Sequence, residues 1–157
     1  MVILVMLQSV IFSNLTLLGG TVDIIMLAIL SWSLQRNVKN AWEWALVGGI
    51  IVGYVSAIPV YVPLIGYLAL SLGAHFLQER IWQTPILAMF FTTVVGSIFM
   101  SLFTIISLQF MGTPITFGES FSLVAMPSAL LNLLLSLPVY LLFRDMASWV
   151  YPVEEEL

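Results

Sequence analysis

The chain has 157 residues, 8% of them charged, and a mean hydropathy of +1.12. A soluble domain carries about a quarter charged residues, so lipid is the solvent for most of this surface. The absence of cysteine excludes disulfides and thiol chemistry. A single histidine and scattered carboxylates argue against a metal cage, and four cationic side chains make no nucleic-acid patch.

Apolar periodicity and breakers predict an all-α polytopic membrane protein of one domain, residues 1–157. The expected helices run over about 1–18, 21–36, 42–58, 64–78, 85–110 and 120–144. Helix one is apolar from Met1, without a charged leader or a small-residue cleavage site, and reads as retained. It ends at Gly19-Gly20, a breaker pair. Gln8 and Asn14 carry amides that need protein partners in lipid. Helix two opens with Asp23 in its first turn, where a carboxylate meets the positive end of the helix dipole. Its apolar run, Val22 to Leu34, rises only about 20 Å. It is short of a ~30 Å hydrocarbon core, and a re-entrant segment is the alternative to a crossing.

The polar loop 35–41 leads into Asn40-Ala41-Trp42-Glu43, which has the form of a capping box. Helix three then carries Trp42 and Trp44 at the headgroup level. Its Gly49-x-x-x-Gly53 pair, with Gly48 and Ser56 nearby, forms a face without bulk that another helix backbone can approach. Pro59 and Pro63 bracket the next turn. In helix four, His75 lies near the Gln78-Glu79-Arg80 end and reads as an interfacial side chain.

Thr84-Pro85 opens helix five, with threonine at the cap and proline in the first turn. Thr93, Ser97, Ser101 and Thr104 follow helical spacing and predict a close-packing face. Thr116 to Glu119 resembles a second cap, for helix six. That helix contains Pro127 and Pro138, each of which removes one amide donor. Ser128, Asn132 and Ser136 recur every four residues as a polar seam. Arg144-Asp145 is expected to end it, followed by an acidic tail over 145–157.

Arg36, Lys39, Arg80 and Arg144 all fall on one side if the chain crosses six times. The positive-inside rule then gives an N-in, C-in bundle. No nucleophile–base pair, no mid-depth pair of aspartates and no phosphate loop can be assembled, so the chain reads as non-enzymatic and without a cofactor.

Several segments, in this order, resemble the rod-shape-determining membrane protein MreD family. Thr21-Val22-Asp23 is similar to the family's opening of its second helix. Gly49 to Gly53 matches its glycine crossing, and Pro63, Leu64 and Gly66 match the turn that follows. Pro127, Leu130, Leu131, Asn132, Pro138 and Tyr140 resemble its last helix. Many members carry an Asp soon after the second glycine; Ser56 stands there in this chain, so no role of that Asp carries over. The resemblance implies a multi-pass protein of the bacterial cytoplasmic membrane that serves as a non-catalytic scaffold of the cell-elongation machinery. Implied partners are the membrane helix of MreC, the polymerase RodA and a class B penicillin-binding protein. The implied fold is similar to the substrate-binding component of energy-coupling-factor transporters. Such a component of a vitamin transporter is also the alternative function, which would require an outward pocket with convergent polar groups. Candidate packing or partner residues are Gly49, Gly53, Ser56, Asn132, Ser136 and Pro138.

Overall fold

The computed structural model describes residues 4, 6, 8, 20–36, 38, 40–80, 84–114 and 116–151. The expected first helix lies outside the described residues apart from three positions, as does the acidic triplet at 154–156. Among the described residues the chain is helical throughout, without a strand. The elements are α1 (Ile24–Ser33), α2 (Ala41–Val55), α3 (Tyr61–Arg80), α4 (Pro85–Phe110), α5 (Phe117–Ser120), a π-helical turn (Phe121–Ala125) and α6 (Met126–Val150). Three helical stretches, Tyr61–Arg80, Pro85–Phe110 and Gly118–Val150, are long and apolar enough to cross a membrane.

α1 is the centre of the bundle. Nine of its ten residues are buried, among them Ile25, Leu27, Ile29 and Leu30. A helix that is apolar on every side has no solvent-facing surface to offer, and α2, α3, α4 and α6 pack around it. At ten residues it rises about 15 Å, shorter than the expected 21–36.

Several helix boundaries differ from the sequence reading, each for a local reason. Asp23 is the N-cap of α1 and lies outside its first turn, accepting a hydrogen bond from Met26 N at 2.9 Å. Asn40 caps α2 without a side-chain bond, so the capping box is not formed. Pro63 falls inside the first turn of α3, where the missing amide has no intrahelical acceptor to lose. The turn between α2 and α3 is therefore confined to 56–60. α4 keeps the expected bounds of 85–110. It ends in a Schellman motif: Gly112 has φ +79°, its N–H bonds Gln109 O at 2.9 Å, and Thr113 N–H bonds Leu108 O at 3.1 Å. α6 runs through Arg144-Asp145 to Val150, beyond the expected end at 144. Its approach is π-helical, with Met126 N–H reaching back to Phe121 O. Pro127, which has no amide to give to Leu123 O, immediately follows this wider turn.

The interior mixes an apolar core with small polar side chains, and the outer surface is rich in large apolar ones. Ser31, Ser33, Ser71, Thr92, Thr93, Ser97, Ser107, Ser128, Asn132 and Ser136 are buried, while Tyr54, Phe91, Leu130, Leu134 and Trp149 are exposed. The Ser33 and Ser71 hydroxyls bond each other at 2.9 Å between α1 and α3. That distribution suits a hydrocarbon solvent, in which buried hydroxyls and close packing hold helices together.

Candidate functional site: a polar wall beside an interhelical cavity

The polar side chains converge where the chain enters α1. Gly20 is buried against the start of α6; a Cβ there would lie 2.7 Å from Pro127 C and Ser128 N. This contact lays residues 20–23 along the seam of α6. Thr21 N–H donates to Ser128 Oγ at 2.9 Å, and Asp23 N–H donates to Asn132 Oδ1 at 2.9 Å. Asn132 Nδ2 in turn donates to Ser97 Oγ on α4 at 3.0 Å. From α3, the Tyr67 hydroxyl lies 3.0 and 2.8 Å from the two carboxylate oxygens of Asp23. Ile25 N–H, unsatisfied within its own first turn, donates to Gln8 Oε1 at 3.2 Å. One network thus ties the entry to α1, α3, α4 and α6.

This network forms one wall of a cavity of about 570 Å³. Gln8, Asp23, Tyr67, Ser97, Ser128 and Asn132 supply polar lining, with Ser101 and Thr104 from the next turns of α4. Val52, Val55, Ile58, Val62, Met100, Ile105, Leu108 and Val124 supply the apolar remainder. The cavity sits at the end of the bundle where α2 and α4 finish and α3 and α6 begin. The described arginines lie toward the opposite end: Arg36 beyond α1, Arg80 closing α3 and Arg144 near the end of α6.

The expected candidate residues divide between packing and the cavity. Gly49 and Gly53 are buried and face the chain's own hairpin partner. A Cβ at Gly49 would lie 2.6 Å from Leu64 Cα, and one at Gly53 would lie 2.9 Å from Val60 Cα. The bare face of α2 is therefore covered by the start of α3. Ser56 lines the cavity, and its buried Oγ has no hydrogen-bond partner. Asn132 belongs to the polar wall. Ser136 is buried and donates to Leu133 O at 2.6 Å, a bond back to its own helix. Pro138 is exposed within α6. The α4 face splits at mid-helix: Thr93 and Gly96 pack inward, whereas Ser97, Ser101 and Thr104 reach the cavity.

Tyr67 is the functional residue that pattern reading missed. Its signal was available, because a phenol within an apolar helix needs a polar partner. No protein-family model matches the chain, and no curated protein or solved structure matches it.

Proposed function

We propose that this chain is a non-catalytic scaffold of the bacterial cell-elongation machinery, as the resemblance to MreD implies. In this reading it is a six-crossing, N-in and C-in bundle of the cytoplasmic membrane. It docks the membrane helix of MreC and supports RodA and its class B penicillin-binding protein. The observation that carries the reading is an outer surface rich in large apolar side chains, around an interior whose hydroxyls and amides are buried among apolar residues. A surface of that kind engages neighbouring helices by shape and dispersion, because lipid supplies no hydrophobic drive for association. The positions of Arg36, Arg80 and Arg144 toward one end fit a cytoplasmic face there. Affinity purification from native membrane, with partners identified by mass, tests the reading. MreC and the synthase are expected to be recovered; their absence from preparations of the folded protein would overturn it.

The cavity favours a second reading, the substrate-binding component of a vitamin transporter, since it supplies a chamber with convergent polar groups. A large, saturable thermal stabilisation by one vitamin would establish it.

A further inference from the structure

The wall of the cavity holds a carboxyl group with no cationic partner among the described residues. Asp23 is half-buried and accepts from Tyr67 and from Met26 N–H, yet no described cation pairs with it. Arg36 lies thirteen residues along from Asp23, Arg80 thirteen from Tyr67 and Arg144 twelve from Asn132. At 1.5 Å per residue Arg80 and Arg144 stand about 18–20 Å down their helices, and Arg36 lies beyond the far end of α1. Two neutral donors moderate a carboxylate without neutralising it, and a carboxylate in surroundings of low dielectric constant is stabilised most by a cation that also hydrogen-bonds.

We propose that the cavity binds an organic ammonium group carried on an apolar body, with the ammonium at Asp23 and the body among Val52, Val62, Met100 and Leu108. The volume of about 570 Å³ is in the range of small-molecule sites. The lining has the division such a ligand needs, one polar wall and an otherwise aliphatic chamber. Ser97, Ser101, Thr104 and Ser128 add hydroxyl oxygens to the cavity lining, acceptors for N–H donors of the ligand. Asp23 would repel an anionic ligand. Among the described residues no group of three His, Cys, Asp or Glu side chains is placed to hold a metal ion. The inference is independent of whether the chain docks MreC. The same chemistry fits a free amine or the ethanolamine headgroup of a lipid.

The ligand series 2-phenylethylamine, 2-phenylethanol and phenylacetate, followed by thermal unfolding in an uncharged detergent, tests charge selectivity on the unaltered protein. The amine is expected to raise Tm saturably, and the alcohol and the acid are not. Asp23→Asn keeps the shape and an acceptor for Met26 but removes the charge; it is expected to weaken amine binding by about 30-fold or more. Native mass spectrometry from nanodiscs of phosphatidylethanolamine or phosphatidylglycerol separates the sources. Ethanolamine lipid retained by the unaltered protein and lost from Asp23→Asn identifies a headgroup; no retained lipid with a saturable amine shift identifies a free amine. Equal stabilisation by the alcohol or the acid would overturn the proposal. So would the absence of both an amine shift and retained ethanolamine lipid. If Asp23→Asn does not fold, the ligand series on the unaltered protein decides.

Discussion

Replacing Gly49 by alanine places a methyl group 2.6 Å from Leu64 Cα, 3.0 Å from Pro63 O and 3.1 Å from Leu64 N. All three atoms are backbone, so no side chain can rotate away. Restoring ordinary carbon contact requires α2 and α3 to separate by about 1 Å. Overpacking of this kind costs about 1–3 kcal/mol. The better helix propensity of alanine offsets at most about 1 kcal/mol, so the net effect is a loss of about 1–2 kcal/mol, roughly a tenfold shift in the unfolding equilibrium. Gly73→Ala is the matched control. Gly73 lies on α3 with nothing within 4 Å of its added Cβ, so that variant is expected to be neutral or slightly stabilised. Unfolding in a detergent series, followed by the combined fluorescence of the chain's 5 tryptophans, reads both. Equal midpoints for Gly49→Ala and Gly73→Ala would refute the close contact of α2 with α3.

Three further changes probe other parts of the bundle. Gly112→Ala meets no steric obstacle but forces a left-handed residue at the end of α4; a loss of about 1 kcal/mol is expected in the same unfolding assay. Asn132→Ala leaves Asp23 N–H without its acceptor and Ser97 without its donor. It should cost about 1–3 kcal/mol and accelerate amide exchange at the entry to α1. A double-mutant cycle with Ser33→Ala and Ser71→Ala should return a coupling of about 0.6 kcal/mol; zero coupling would show that the hydroxyls do not bond each other.

Much of the bundle was legible because lipid imposes simple rules on sequence. The start of α4 followed from Thr84-Pro85. The seam of Ser128, Asn132 and Ser136 followed from four-residue spacing, and all three are buried. What spacing could not show was which element each seam meets. The partners of Ser128 and Asn132 are backbone amides more than a hundred residues earlier, at Thr21 and Asp23. Likewise the glycine pair announces close approach without naming the neighbour, and here the neighbour is the next helix in the chain. α6 outran its expected end because no glycine or proline stands between Arg144 and Val150, and the exposed Arg144 and Asp145 do not interrupt a helix. The cavity was illegible for a related reason. Its walls come from every described helix, and its charged residue alone suggested only a dipole contact.

The coverage of Gly49 and Gly53 by α3 changes how docking of a partner helix must be tested. Gly53→Leu would drive a side chain into Val60 and split the α2–α3 hairpin, so lost recovery of MreC with that variant would report a damaged fold. A discriminating change belongs on a surface that the chain leaves open. Val47, Ile50 and Tyr54 follow one outer face of α2, and Leu130, Leu134 and Leu137 follow one of α6. Lipid is as apolar as these side chains, so their truncation to alanine should leave unfolding within about 0.5 kcal/mol of the parent. A docked helix, by contrast, would lose the dispersion contacts that hold it. Triple alanine variants of each face should therefore separate stability from association. Recovery of MreC is expected to fall for one face and hold for the other, with unfolding midpoints unchanged in both. Unchanged recovery across both faces, extended to Ile65 and Leu72 on α3 and to Leu87, Phe91 and Val95 on α4, would remove docking through the described helices from the account.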